Sequence, residues 1–563
     1  MRIPPFPAVR PSTVGLIAAL LSPCTALAND PGSTQLRDQQ RELRQLEQQQ
    51  RLERWQRPAQ PDASEPTRQP SPSADACWPI PGVRLAGNRL LPTPALEQAL
   101  KPLLRPCMNA AAINALLKAI TERYVLAGYP LSRPLLARTR QAGEPLFIFI
   151  AEGFVESIEL HDDLPLSLRG AFPSLLGQPL YLPDLEQGLD QLNRLRAFDL
   201  GVKLLPGEAP GGTQVVLASQ RPATARWHLD SRLDNRGSDL TGRHRLTLGL
   251  GLDSPLGLND ELRLSRVFPV LDAPGRMFGS NLYYSLPYGL WTFALNASQL
   301  AYRAPLPGGR QSSSGSSQLA GVSIERLLWR NAQGLVSSSL RLDHKRLVNR
   351  LGSVYLGQQS PTLTTLEAGL NLLWLGDGVW MGYLGLSHGL GWFGADRSPL
   401  GRMAPEPAFR KYRASLMHLR SGPPQQPWRW ASELSLQYSP DLLPAVEQMP
   451  LTDDQAVRGF RQHVVSGASG AVWRNTLSYP LALLSAAEVR PHLGLDLGWG
   501  RYSELRAPGH RTTQRLAGAA LGVEISRPDT RLRLDYQRPL HLSGQPRSAL
   551  ERGFWVLDWT LTL

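Results

Sequence analysis

The sequence predicts a transmembrane antiparallel β-barrel of about sixteen strands, preceded by two small α/β domains and a polar N-terminal helix. Three observations carry that prediction. Residues 222–563 alternate apolar and polar side chains in segment after segment, the period of a strand with two unlike faces. Large aromatics gather at segment ends, at Trp291, Trp329, Trp374, Trp380, Trp392 and Trp499, in the manner of an interfacial girdle. Beyond the N-terminus no run of roughly 18 apolar residues occurs, so no helix is expected to cross a membrane.

Taken in order, residues 1–28 read as a secretory signal. They hold Arg2 and Arg10, the apolar stretch VGLIAALL (14–21) and the small-residue site Ala26-Leu27-Ala28 before Asn29. Cys24 follows Pro23 and falls in the discarded segment, which leaves Cys77 and Cys107 in an exported, oxidising setting. That setting predicts a disulfide between them, with two separate buried thiols as the alternative. Too few ligands lie nearby for a metal site. Residues 29–57 include STQLRDQQRELRQLEQQQRLERWQR (33–57), rich in Gln, Arg and Leu without glycine or proline. This is a helix with only a thin apolar stripe, suited to a wet place. Residues 58–76, rich in Pro, Ser and Ala, form a linker.

The first α/β unit covers 77–153. Thr93-Pro94 starts a helix with Leu96, Leu100, Leu103 and Leu104 on one face. Asn109 starts a second, with Ile113, Leu116, Leu117, Ile120 and Tyr124 inward and Gly128 as its stop. Strand-like segments follow at 130–137 and 145–153. From 154 to 221 a similar order returns: FVESIEL, a helix carrying Leu185, Leu189 and Leu192, and two strands around PGEAPGGT (206–213). The pair reads as a weak internal repeat.

In the barrel region, Trp428, Trp430, Leu434, Leu436 and Tyr438 alternate with Arg429, Glu433 and Gln437. Trp555, Leu557, Trp559, Leu561 and Leu563 alternate with Asp558, Thr560 and Thr562. One long connection (about 440–467) interrupts this pattern and contains DDQAVRGFRQ (453–462). Two strands on, HLGLDLGWG (492–500) puts Leu493, Leu495, Leu497 and Trp499 on one face. Asp496 must then point to the lumen, flanked by Gly494 and Gly498, whose missing side chains leave room for an approaching group. Arg458 is the candidate, because a guanidinium grips a carboxylate bidentately. Pattern alone leaves this equal to an exposed loop arginine and a solvated aspartate.

The tetrapeptide Val457-Arg458-Gly459-Phe460, the strand GLDLG (494–498) and the paired small domains together resemble the outer-membrane transporters of two-partner secretion, of the haemolysin-activator and haemagglutinin-exporter type. CWPIPGVRLAGNRLL (77–91) with Cys107, and ERYVLAGYPLSR (122–133), are similar to that family's first POTRA domain, cysteine pair included. YYSLPYGLW (283–291) is similar to an early barrel strand. The resemblance implies two periplasmic POTRA domains, a sixteen-stranded barrel in the outer membrane, and a plug helix at 29–57. It implies that the loop folds into the lumen with Arg458 bound to Asp496, a conformational pair and not a catalytic one. The implied partner is a large secreted exoprotein with an N-terminal secretion domain. Outer-membrane lipid, lipopolysaccharide and, during biogenesis, the barrel assembly machinery are further implied partners. Two departures stand out: LTDDQA (451–456) replaces the family's glycine pair before VRGF, and Leu563 stands where such barrels commonly end in an aromatic.

Other classes are disfavoured. There is no H-E-x-x-H, G-x-S-x-G or phosphate-binding G-x-x-x-x-G-K-[ST], and the 10 histidines are scattered, with His388 and His492 on strands. No enzyme activity, cofactor or metal is expected. A net charge of +13 permits acidic partners but is explained by lumenal arginines without nucleic acid. An outer-membrane protein insertase typically has more POTRA repeats than two, and a general porin has none. An exporter of contact-dependent toxins has the same pattern as an exporter of haemolysins or adhesins.

Overall fold

Period-2 alternation with one apolar face leaves a chain of strands two outcomes, a sandwich that hides the apolar faces or a cylinder that turns them to lipid. The computed structural model describes residues 78–136, 144–222, 224–271, 273–305, 311–396, 407–423, 425–453, 455–484, 487–501 and 513–563. It shows the cylinder. The signal, the polar helix at 29–57, the linker and Cys77 lie outside the described residues.

The first α/β unit contains β1 (Trp78–Pro79), β2 (Val83–Ala86), α1 (Thr93–Leu100), β3 (Cys107–Met108), α2 (Ala110–Leu126), β4 (Arg133–Leu136) and β5 (Leu146–Ala151). β5 runs parallel to β2 and antiparallel to β4. The Asn109 side chain caps α2 by accepting from the Ala112 amide at 2.9 Å, and Gly128 leaves it at φ +91°. Ile113, Leu116, Ile120 and Tyr124 recur at helical spacing and form the core with Leu146, Ile148 and Ile150. The buried Tyr124 hydroxyl donates to Glu152 Oε1 at 2.8 Å. Burial, with the Glu152 contact added, pushes its pKa well up.

α1 differs from the expected helix at both ends. Pro92 is its N-cap, and Thr93 Oγ1 instead accepts from Asn88 Nδ2 at 2.9 Å. It stops at Leu100, because Pro102 has no N–H to continue the ladder, and a single 3₁₀ turn (Lys101–Leu103) leaves Leu103 exposed. Cys107 is disulfide-bonded.

The second unit contains β6 (Phe154–Leu160), the single-turn α3 (Leu168–Ala171), α4 (Leu182–Asn193), β7 (Leu200–Pro206) and β8 (Gly212–Ser219), with strand order β6-β8-β7. Leu185 and Leu192 of α4 are buried in its core and Leu189 packs partly against it.

The barrel begins with β9 (Trp227–Asp234), β10 (Arg245–Asp253), β11 (Glu261–Pro269), β12 (Arg276–Tyr288) and β13 (Trp291–Pro305). It continues with β14 (Ser312–Asn331), β15 (Gly334–Leu351), β16 (Thr362–Gly376), β17 (Gly378–Leu390), β18 (Arg410–Ser421) and β19 (Arg429–Tyr438). After the long connection come β20 (Ser469–Ser478), β21 (Ala487–Arg501), β22 (Thr513–Arg527), β23 (Thr530–Leu542) and β24 (Phe554–Thr562). These sixteen strands pair antiparallel in sequence order, and β24 closes on β9 with Asp558 opposite Asp234 and Thr562 opposite Asp230. At the seam Arg232 Nη2 meets Asp558 Oδ2 at 2.6 Å. On β21, Leu493, Leu495 and Leu497 are 50%, 53% and 51% exposed while Asp496 is 1% exposed, so apolar side chains face outward and the charge faces in.

The second α/β unit sits against one end of the barrel. Arg194, just after α4, reaches Glu261 Oε2 at 3.0 Å and the Asn259 carbonyl at 2.8 Å, both on or beside β11. Asn259, at φ +61°, exchanges two hydrogen bonds of 2.8 Å with the Ser167 backbone. Arg330 of β14 meets Glu186 at 3.2 Å and Asp190 at 2.5 Å on α4. The turns at this end are therefore the ones next to the α/β domains, and the opposite end carries the connections such as 352–361.

Candidate functional site

The connection between β19 and β20 folds back into the cylinder. Met449–Pro450 pairs with Ser466–Gly467 to make a short hairpin. At its inner end the Asp453 Oδ1 accepts from the Gln455 and Ala456 amides at 2.7 and 2.6 Å. This aspartate-capped turn satisfies its own amides with a side chain. Val457 then bridges back to Leu451 O at 3.1 Å.

Arg458 is buried at 1% exposure. Its Nε and Nη2 donate to Asp496 Oδ2 and Oδ1, both at 2.6 Å, and its backbone N–H donates to Oδ2 at 3.0 Å. Nη2 further donates to the Asn475 carbonyl at 3.1 Å and to Thr476 Oγ1 at 3.2 Å on β20. The arrangement is a bidentate, charge-assisted fork held in a dry pocket of the wall. Register places Arg474 directly opposite Asp496 and Glu433 opposite Arg474, so inward charges alternate along this part of the wall.

The glycines explain the close fit. A Cβ on Gly494 would overlap the Arg458 guanidinium, and one on Gly498 would lie 2.7 Å from Val457 Cγ2. Gly459 has φ +95°, and a Cβ there would run into the Arg538–Pro539 backbone. Its amide donates to Gln537 Oε1 at 3.2 Å. Val457 and Phe460 pack with Leu451, Val465, Val472, Leu516 and Leu542. Beyond them the amides of Arg461 and Gln462 each donate to Glu551 Oε2 at 2.9 Å.

Sequence reading missed the other end of the loop. The Glu447 carboxylate, 3% exposed, is bound by Lys345 on one oxygen and Lys411 on the other. Val446 beside it packs on Leu319, Leu347 and Leu363. Gln437 Nε2 donates to both the Glu447 and Ala468 carbonyls at 3.1 Å, gripping the two branches of the loop. The available signal was two lysines at inward positions, Lys345 and Lys411, whose charges require a partner. His492 sits inward with Nε2 2.8 Å from Asp535 Oδ1, and His388 lies near the far end of β17. Among the described residues no three His, Cys, Asp or Glu side chains are grouped to hold a metal ion.

Comparison with known proteins agrees with this architecture. Residues 211–525 match the haemolysin secretion/activation protein ShlB/FhaC/HecB family, residues 78–153 a ShlB-type POTRA domain and residues 154–206 a POTRA domain. The chain is 35% identical over 474 residues to the hemolysin transporter protein HpmB of Proteus mirabilis, covering 82% of each. To the hemolysin transporter protein ShlB of Serratia marcescens it is 36% identical over 471 residues, again 82% of each. The solved structure of CdiB from Escherichia coli superposes with a TM-score of 0.82 at 27% identity, over 94% of this chain and 98% of that one. With two POTRA domains, a sixteen-stranded outer-membrane barrel and an inward loop on one chain, this protein belongs to the haemolysin secretion/activation protein family of transporters.

Proposed function

We propose that this outer-membrane translocator exports one large exoprotein, captured unfolded in the periplasm by the POTRA domains and released through the barrel. The observation that carries this reading is the Arg458–Asp496 fork, which holds a long loop inside a pore that an exported chain must use. The loop is a closure element, and export requires it to shift. POTRA sheets present open edges: β4 and β2 flank β5, and β7 and β6 flank β8. An extended segment of the exoprotein adds to such an edge through main-chain hydrogen bonds, and exposed Leu204 and Leu205 on β7 offer apolar contacts beside them. The helix at 29–57 acts as a removable plug, and the Cys77–Cys107 disulfide staples the first POTRA domain. The reaction has no catalytic residue and no cofactor; folding of the exoprotein outside supplies direction. Lipopolysaccharide surrounds the barrel, and the barrel assembly machinery inserts it.

The test is export of a large exoprotein carrying an N-terminal secretion domain, in cells expressing wild type, a variant lacking 154–221, and Arg458→Ala. The reading predicts secretion by wild type, none without the second POTRA domain, and a strong reduction for Arg458→Ala. Secretion at wild-type level by both variants refutes it. Replacing the exoprotein's C-terminal region while keeping its secretion domain separates haemolysin-type from toxin-type cargo without changing the transporter.

A further inference from the structure

The outer wall carries a group of arginines that the export reading does not use. Arg266, Ser280, Gln299, Gln318 and Arg346 stand side by side in one cross-strand row over β11 to β15. A second row nearer the far end joins Arg276, Arg303, Ser314 and Arg350. All five arginines are exposed. They share the outward face with Leu282, Leu295, Val322 and Leu340, which are themselves exposed to the surroundings of the barrel.

Their height on the wall is fixed by the register. Trp291 starts β13 beside the POTRA-side turn, with the Arg326 guanidinium 5.0 Å from its ring centre. A strand rising about 3.3 Å per residue and tilted about 40° climbs roughly 2.5 Å per residue. Gln299 then lies roughly 20 Å, and Arg303 roughly 30 Å, above that rim, and an outer-membrane apolar band is about 25 Å tall. On β13 the two rows thus bracket the upper edge of the band, where outer-leaflet headgroups begin; because the strands tilt, the rows run obliquely, with Arg266 lower and Arg350 higher on the wall.

Charge makes the same point. Inward arginines have carboxylates at hand: Arg263 meets Glu261, Arg330 meets Glu186 and Asp190, and Arg413 meets Glu367. Among the described residues none of the five outward arginines has a carboxylate partner. Arg276 and Arg303 are direct cross-strand partners, and like charges so placed repel unless an anion lies between them. A groove of about 620 Å³ runs just below, with Arg266, Gln299 and Gln318 at its top beside Leu248, and Leu264 and Leu282 along its floor. A polar head over an apolar floor fits an amphiphile.

We propose that this face binds a phosphorylated glycolipid of the outer leaflet, with phosphates between Arg276, Arg303 and Arg350 and an acyl chain in the groove. The outer row spans three inter-strand spacings, roughly 15 Å, which favours a headgroup with more than one phosphate over a single-phosphate phospholipid. The site rests on the outer-membrane placement of the barrel, not on the loop or the cargo.

The experiment measures binding of bisphosphorylated lipid A, dephosphorylated lipid A and phosphatidylglycerol to the full chain in detergent micelles by native mass spectrometry. Wild type should prefer bisphosphorylated lipid A over each of the others by at least tenfold. The triple variant Arg276→Gln, Arg303→Gln, Arg350→Gln should lose that preference, and Arg326→Gln, at the opposite rim, should keep it. Equal binding of the two lipid A forms by wild type overturns the proposal, as does phosphatidylglycerol bound as tightly, or full selectivity in the triple variant. The wild-type comparison decides even where the triple variant does not fold. Heat-modifiable mobility of each preparation reports the barrel itself, so failure of the outer-membrane reading is seen separately.

Discussion

Removing either member of the Arg458–Asp496 fork should release the loop, and the two removals should differ in size. Both side chains are essentially inaccessible, at 1% and 0% exposure. Taking one partner from a buried pair costs about 3–5 kcal/mol, because the survivor is left buried with its charge. In Arg458→Ala the survivor is Asp496, which still faces Arg474 across the ladder. Its cost belongs at the low end, about 3 kcal/mol, or roughly a hundredfold more frequent loop opening. In Asp496→Ala the survivors are Arg458, left buried with no carboxylate, and Arg474 beside it, which keeps only Glu433 on its other side. That cost belongs at the high end, about 5 kcal/mol, or more than a thousandfold. Arg458→Lys keeps the charge but loses the fork, for about 1.5–3 kcal/mol. Amide exchange of residues 451–465 in micelles reads these values as lost protection, with the amides of β21 and β22 as the internal reference. Exchanging the two residues, Arg458→Asp with Asp496→Arg, should fail to restore protection, since Arg at 496 would stand opposite Arg474. Unchanged protection in Arg458→Ala, or a milder effect in Asp496→Ala, or full rescue by the exchange, would refute the reasoning.

Gly459→Ala should loosen the loop about as much as Arg458→Ala, because a left-handed φ and the Arg538–Pro539 backbone both exclude a Cβ; exchange and export should fall together. Glu447→Gln leaves Lys345 and Lys411 facing one neutral amide, so protection near 445–448 should drop while that of 457–460 persists. Arg194→Ala removes the buried link from the second POTRA domain to Glu261 and Asn259; spin labels on the domain and barrel should show a broadened distance distribution, with export reduced. A narrow, wild-type distribution in that variant would show that Arg330 and Asn259 suffice for docking.

How much of this is legible in the chain depends on how local the cause is. Alternation is local, so the outward leucines of β21 and the inward position of Asp496 follow from period 2 alone. A glycine on each side of an inward carboxylate marks a place where something large comes close, though not which residue comes. Glu447 carries no such mark, since its lysines are 102 and 36 positions away and lie on separate strands. The POTRA-to-barrel clamp is equally silent: Arg194 follows an ordinary amphipathic helix, and Glu261, an acid opening β11, carries no sign of which residue it meets. Helix propensity gave a longer α1 because leucines continue past Leu100, but Pro102 overrides them through a missing donor.

The two anchors of the loop have a geometric relation that neither shows alone. Lys345 lies on β15, the seventh strand of the barrel, and Gln537, which holds Gly459, lies on β23, the fifteenth. Eight strands apart in a ring of sixteen is directly across the pore. Between them the loop packs Val446 on the β14–β16 wall and Phe460 on the β20–β23 wall, so it is a strut spanning the lumen and not a flap against one side. A strut must come free at one end before an extended chain can pass. The Arg458 end is held by five hydrogen bonds, by Gln537 and by an apolar cluster, whereas the Glu447 end rests on two lysine contacts, Gln437 and one valine. Both anchors are buried, the Lys345, Lys411 and Glu447 side chains being 4%, 7% and 2% exposed, so the two ends differ in the number and geometry of their contacts: two point-charge ammonium groups at one, a planar bidentate fork with three further donor contacts at the other. With fewer contacts and no bidentate pair, the Glu447 end should open first with the Arg458 end as hinge, which faster amide exchange at 445–448 than at 457–460 in the wild-type protein would show.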